Sequence, residues 1–421
     1  MTAQTISEKI LSRRSGRALL AGDIGVCNVD CILGTDASTP MAIDYFEKMG
    51  ATRLAHPERV LLALDHYAPP STPQTRAFHQ AVKDFGQRLG AQVLEMGDGI
   101  SHQVAVETGR ALPGMLIVGA DSHTVMCGAL NAFATGIGSS DLAAAMATGQ
   151  IWLRVPESIK VNLSGALCPG VSGKDLALVL LRSIGGEGAA YRTLEFHGSG
   201  ISELSMDDRL IVSNMTVEAG AKAGIFPVDT ITHTFIDSIG VRDFEPVSAD
   251  SAASYGEEID LDLSALQPSV ALPHRPDCVT PLAAVVGTPI HMVFLGTCAG
   301  GRISDFHRAL AILEAAGGVA PTVRLLVTPA SAHVQEQLQN DGTLQKLFEM
   351  GAIITPPGCG PCCGTSAPIP ENGMNVMSTA NRNFKARMGN PNVSIFLGSS
   401  ASCAAAAAHG KIVEVAGVDP E

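Results

Sequence analysis

Three cysteines at two places in the chain have the spacing to hold an inorganic centre. Cys359-Gly360-Pro361-Cys362 follows closely on the strand-like run AIIT, and Cys298 follows closely on HMVFLG. Loops at the ends of two strands of one sheet can bring such residues together, and soft thiolates suit zinc or an iron–sulfur cluster. A CxxC pair alone also serves thiol–disulfide exchange and zinc ribbons. A structural zinc site wants a fourth ligand at matching spacing, such as a second CxxC, and the sequence has none. Cys363 is adjacent in sequence, and neighbours rarely both reach one metal. Three cysteines on a four-iron cluster leave one iron with an open position, the counterpart of a catalytic metal with a vacant site. Spacing alone leaves cluster, zinc, and redox or structural thiols all open.

Other chemistry-bearing groups recur in short polar stretches: Asp65-His66, His102, and Asp121-Ser122-His123. Each has a plain alternative. A DH or DSH pair is most often a turn with a satisfied histidine, and His102 after Gly99-Ile100-Ser101 could cap a helix. Asn214 and Glu218 stand at i,i+4, and Glu218 could pair with Lys222, again four residues on. Arg382 and Arg387 could form a solvated face. Cys27 and Cys31 are expected in a loop facing the site without a role in it. Cys168, Cys278, Cys363 and Cys403, with His197, His274 and His307, are expected to be packing or surface residues.

The elements that must position these groups are those of open α/β sheets. TRAFHQAVKDFGQRL (75–89) has helical periodicity and is followed by the strand-like AQVLEM. MLIVG (115–119) reads as a buried strand ending at Ala120-Asp121-Ser122-His123-Thr124, with a Gly-rich helical stretch expected over 129–153. Strand, polar loop, helix is the pattern that gathers sites at the carboxyl ends of strands. The last third repeats it: strand 291–296, loop 297–301, helix 302–316, strand 323–327, helices to Met350, then AIIT. Pro156 and VNLSGALCPGVSG suggest a first boundary, and the Pro-rich SALQPSVALPHRPDCVTP a linker. The expected division is 1–158, 159–264, a linker 265–284, and 285–421 carrying the cysteines.

A chain of 421 residues has room for two or three such units. A net charge of −13 and 4% aromatic residues argue against a nucleic-acid partner, which would want basic patches and stacking surfaces. The first residues, MTAQTISEKILSRRSGRALLAGD, lack an apolar core with a cleavage site and read as a capped helix. No run of eighteen apolar residues occurs, so no membrane partner is expected and a cytoplasmic location is. Ten cysteines without a secretory signal point to metal binding or catalysis and not to disulfides.

Five stretches, in order, resemble one family. GADSHTVMCGALNAFATGIGSSDLAAAMATGQIWLRVPESI resembles the substrate-pocket signature of aconitases and, more closely, of isopropylmalate dehydratase large subunits. SNMTVEAGAKAGIFPVD is similar to their middle motif, GTCAGGRISD to the site of the first cluster cysteine, PPGCGPCCG to that of the second and third, and STANRNFKARMG to the arginine motif. The resemblance covers roughly residues 20–415. It implies an α/β fold of three domains around an iron–sulfur cluster, lacking the family's swivel domain. It makes Cys298, Cys359 and Cys362 the ligands of a 4Fe–4S cluster. Asp65, His66, His102, Asp121, His123 and Glu218 become catalytic, and Ser122, Asn214, Arg382 and Arg387 bind substrate or brace the pocket.

The implied reaction is dehydration and rehydration of a small hydroxy di- or tricarboxylate, with 3-isopropylmalate as first choice. The relatives 2,3-dimethylmalate, citramalate and homoaconitate are alternatives, and zinc-binding or RNA-binding proteins on the same scaffold are the readings from other classes. The chain stops at Glu421 without the swivel domain, so a separate small subunit is expected to supply the catalytic base. Four positions depart from the family pattern: Ala299-Gly300 replaces Thr-Asn, Cys127 a common His, and Pro40 the substrate-binding Gln of aconitases. The last points away from citrate.

Overall fold

The computed structural model describes residues 2–366 and 368–415. Short, continuously apolar segments such as VLLA (60–63), LIVG (116–119), MVFL (292–295) and RLLV (324–327) form its central strands. Runs of this kind suit parallel sheets covered on both faces by helices. A five-stranded, all-parallel sheet takes its strands in the order Gln92–Leu94, Val60–Ala63, Cys31–Thr35, Leu116–Gly119, Phe133–Gly136. A four-stranded parallel sheet follows, in the order Ala223–Ile225, Thr193–His197, Ser158–Ser164, Glu257–Asp262. The third sheet has seven strands. Ser394–Leu397, Asn375–Ser378, Met292–Leu295, Arg324–Val327 and Ala352–Ile354 run parallel, and Ser269–Ala271 and Val279–Pro281 extend it antiparallel.

Local chemistry sets the helix ends. At Ile6–Ser15 the side chains of Thr5 and Glu8 cap each other's backbone N–H, and Gly16 closes the far end in the left-handed region. At Pro73–Leu89 Thr72 and Thr75 do the same, with Pro73 in the first turn and Gly90 at the end.

Three expectations are corrected. Residues 129–153 are not one helix: the strand Phe133–Gly136, the helix Ser139–Thr148 and the strand Gln150–Arg154 share them. Ala and Gly carry little strand propensity, so pairing with Leu116–Gly119 decides the first of these. Cys27 and Cys31 lie in strands and are fully buried, not in a loop. The Pro-rich stretch 264–281 is no free tether, since it supplies two strands of the seven-stranded sheet. Among the described residues no helix is long and apolar enough to cross a membrane.

The carboxyl ends of the five- and seven-stranded sheets face each other across one seam. The Cys359 N–H donates to Asp65 O at 2.9 Å, and Ile100 N–H to Ala330 O at 2.9 Å. The Thr365 hydroxyl donates to His66 O at 2.6 Å. These bonds tie loops after strands of the five-stranded sheet to loops after the parallel strands of the seven-stranded one, as expected for ligand sites at strand ends.

Candidate active site at the sheet seam

Each chemistry-bearing loop follows the carboxyl end of a strand. Asp36 follows Cys31–Thr35, Asp65-His66 follows Val60–Ala63, and Asp121–His123 follows Leu116–Gly119. From the other sheet come Cys298 after Met292–Leu295, Cys359 after Ala352–Ile354, and Asn381-Arg382 after Asn375–Ser378. The helix Met206–Met215 and the turn Thr216–Ala219 bring Asn214 and Glu218 from the middle of the chain.

These loops enclose a cavity of ≈ 240 Å³. Of the residues singled out from the sequence, His66, His102, Asp121, Ser122, His123, Cys298, Cys359, Cys362, Arg382 and Arg387 line it. Asp65, Asn214 and Glu218 do not line it but are bonded directly behind it. Cys363, expected to be a packing or surface residue, lines it too. Its sulfur lies 2.8 Å from the Thr365 hydroxyl and is hydrogen-bonded to Cys359. The turn Gly360–Cys363 lets successive side chains face the same space, which an extended loop would not.

Of the three thiols only one is favoured as an anion: the Cys362 and Cys363 side chains raise Cys359 well above its ordinary range, and burial pushes Cys298 up to about 11. The Arg387 guanidinium is 3.7 Å from the Cys362 sulfur, and the Cys359 thiol and then this cation hold Cys362 well below the usual thiol range against burial. The Cys298 loop is pinned by Asn214 Nδ2 (3.1 Å) and Arg302 Nη2 (2.6 Å), both donating to its carbonyl. Asn381 Nδ2 stands 3.4 Å from the Cys298 sulfur. Thr297, just before it, has φ 71°, a backbone conformation that a β-branched residue adopts only when its surroundings impose it. Gly300 explains one departure from the family pattern, because a Cβ there would stand 2.3 Å from Thr379 Cβ. The space of the missing side chain is filled from the neighbouring loop. Lys174, fully buried, donates to Thr379 O (3.1 Å) and Ala380 O (2.8 Å), and burial lowers its ammonium to about 8.

One zinc ion at about 2.3 Å from each sulfur cannot reach thiolates more than about 4.6 Å apart. Among the described residues, the one trio of His, Cys, Asp or Glu with ligand atoms all within 4.8 Å of each other is Asp36, Asp65 and His66. At least one pair among the three sulfurs therefore lies beyond the reach of a single ion as the side chains stand. The tight trio is already bonded internally: Asp36 accepts the N–H groups of His66 (3.0 Å) and Tyr67 (2.9 Å), and pairs with His79 Nε2 at 2.8 Å.

The opposite wall is a continuous acid–base chain. Arg382 Nε donates to Glu218 (2.7 Å), and Glu218 faces His123 Nε2 at 3.0 Å. Asp121 accepts the backbone N–H of His123 at 2.7 Å, with His123 Nδ1 3.5 Å from the same oxygen; it stands 3.2 Å from His66 Nε2, while His66 Nδ1 meets Asp65 at 2.8 Å. Burial works to depress the His66 imidazole, yet the Asp65 and Asp121 carboxylates outweigh it and raise it well above its ordinary value. His123 is raised against burial by Asp121 and Glu218. Asp121 is held well below the carboxylate range, its hydrogen bonds to His123 and His66 overcoming burial. His102 is the exception. It is buried with neither ring nitrogen hydrogen-bonded among the described residues, and burial pulls it down to about 4. It caps no helix; the residue in that position is Ile100. Glu218 bonds His123 and Arg382, not Lys222.

Sequence reasoning missed Asp36, Asn381, Lys174 and the cavity position of Cys363. Asn381 directly precedes Arg382, and Asp36 directly follows the strand ILGT, so both had a positional signal; Lys174 had none.

The family model described as "Aconitase family (aconitate hydratase)" matches residues 8–289 and 284–410. The chain is 43% identical over 414 residues to 3-isopropylmalate dehydratase large subunit 1 of Thermotoga maritima, covering 98% of each. It is 41% identical over 412 residues to large subunit 1 of Methanopyrus kandleri, again 98% of each. Among solved structures, the holo-form of Thermococcus kodakaraensis aconitase X superposes with TM-score 0.52 at 13% identity, over 85% of this chain and 84% of that one, a likeness of fold.

Proposed function

This chain belongs to the aconitase family and has its α/β fold, and from that premise we propose that it is the large subunit of a 3-isopropylmalate dehydratase, a hydro-lyase. The observation that carries the reading is the single cavity on which three thiols and a histidine–carboxylate chain converge. Cys298, Cys359 and Cys362 would hold a 4Fe–4S cluster, and the donor set fits: three soft sulfurs on one cavity wall, with Arg387 and Asn381 beside them. Bound there, such a cluster supplies a Lewis-acidic iron for the substrate's hydroxyl and carboxylate.

The chain's own groups do the rest. Arg382 and Arg387 bind the carboxylates, and their fixed positive charge favours the negative charge that builds there as a neighbouring C–H is deprotonated. His66, held protonated between Asp65 and Asp121, carries a proton at Nε2 for the leaving hydroxyl, which departs as water. His102, kept neutral, accepts or donates one hydrogen bond without adding charge. Asp121 and Glu218 orient the two imidazoles, and Asn214 holds the Cys298 loop. Ser122 bonds the substrate at the cavity mouth. A base is needed on the far face of the substrate, and a separate small swivel-domain subunit supplies it. The relatives' designation as large subunits supports a divided enzyme.

The test is reconstitution. The chain carrying its cluster should be inactive on 3-isopropylmalate alone and gain turnover when its small subunit is added. Full activity without a partner would refute the divided site, and activity on another hydroxy acid alone would refute the substrate.

A further inference from the structure

A second cavity, of ≈ 520 Å³, lies behind the Cys298 loop and shares no lining residue with the cysteine cavity. At its base is Arg302, 2% exposed, whose Nε and Nη1 have no hydrogen-bond partner among the described residues. Asp207 comes no closer than 3.8 Å to Nε, and one of its oxygens is taken by the Ser304 hydroxyl at 2.6 Å. A buried guanidinium with two unbonded donors is costly unless a ligand completes it. The amino ends of the helices Ile303–Ala316 and Ala332–Asn340 reach the same cavity through Ile303 and Ala332, adding a positive field.

Acidic groups line the cavity too, Asp98, Glu107 and Asp207, with His333 as a further titratable base. Glu107 lines the cavity with one oxygen bonded to Gln103 (2.8 Å) and Ser331 (2.7 Å), and its second oxygen has no bond among the described residues. The carboxyl end of the helix Thr230–Ser238 reaches it at Ser238. Apolar surfaces of Val104, Leu210, Phe235 and Ile303 complete the lining. A dicarboxylate would meet Glu107 and Asp207, a simple amine would leave Arg302 unbonded, and an uncharged molecule would leave both.

We propose that this cavity binds a small zwitterion with an apolar side chain, of the hydrophobic α-amino acid class, its carboxylate on Arg302 and its ammonium on Glu107. Arg302 also donates to Cys298 O, so the ligand's anchor is one bond from the cysteine loop.

Isothermal titration of the full chain with L-leucine and L-methionine tests this, with 4-methylpentanoate and 3-methylbutylamine as single-charge controls. At least one amino acid should bind with Kd near or below about 1 mM, each control about tenfold or more weaker. Glu107→Gln and Phe235→Ala, neither in the catalytic machinery, should each weaken the amino acid about tenfold. No binding by any amino acid overturns the proposal. So does a carboxylate control binding as well as the amino acids, or an affinity that neither substitution moves. None of these outcomes bears on the hydro-lyase reading, whose test is turnover.

Discussion

Glu218→Gln perturbs the acid–base chain at its centre while keeping size and shape. The carboxylate is 3% exposed and serves two cations at once, His123 Nε2 at 3.0 Å and Arg382 Nε at 2.7 Å. A glutamine can still accept from one of them but turns an NH2 toward the other. Hydrogen bonds to charged groups are worth about 1.5–3 kcal/mol, so the expected loss is about 2–3 kcal/mol, or about 30- to 150-fold in kcat/KM. His123 also loses one of the two carboxylates that raise it against burial. Its proton should therefore leave at lower pH, and activity should fall earlier on the alkaline side. The assay follows hydration of the unsaturated diacid intermediate by its ultraviolet absorbance, in the assembled enzyme, across the neutral range. A variant that binds its metal centre, stays within about threefold of the parent (below about 1 kcal/mol) and keeps the same pH profile would refute the reasoning.

His102 gives a stability prediction with a definite sign. Folded, it resists protonation down to about 4, whereas the unfolded imidazole takes a proton near 6.5. The stability it contributes is present above about pH 6.5 and is lost as pH falls, by about 2 kcal/mol at pH 5. Urea unfolding at pH 7 and 5 should show the parent losing about 2 kcal/mol more than His102→Gln, whose remaining pH dependence comes from the other groups; equal pH dependence would refute it. His66 and His123 act the other way: their raised folded values give stability that is full below about 6.5 and lost as pH rises through those values. Arg209, with a side chain 0% exposed, bonds Asp229 through both terminal nitrogens and Ile201 O at 2.9 Å, away from the cysteine cavity. Arg209→Met should cost about 2–3 kcal/mol in chemical denaturation, since the Asp229 carboxylate left behind is 26% exposed, leaving kcat of the folded fraction unchanged. A cost below about 1 kcal/mol would show that pair to be marginal.

Much of this architecture was legible because buried parallel strands are short apolar blocks. MLIVG and HMVFLG were read within a residue or two of their observed bounds, Leu116–Gly119 and Met292–Leu295. LNAFATGIGSS was not, because Ala and Gly leave the choice to tertiary pairing, and the strand Phe133–Gly136 exists through its neighbour. The site's residue types were legible, its wiring was not. His123 and Glu218 are 95 residues apart, and Arg382 is 164 from Glu218. Local spacing instead suggested Lys222 as the partner of Glu218, four residues on in sequence. Asp36 shows the same limit: its carboxylate fixes the backbone of His66 and Tyr67 from 30 and 31 residues away.

The proposed activity requires Cys298, Cys359 and Cys362 to share one polynuclear centre. Iron and acid-labile sulfide, measured per chain after anaerobic reconstitution, test that directly when the parent is compared with Cys298→Ser, Cys359→Ser, Cys362→Ser and Cys363→Ser. About four of each per chain is expected for the parent and for Cys363→Ser, with a clear loss in each of the other three. A colourless protein holding zinc without sulfide would contradict the account, as would full iron content after loss of any one of the three.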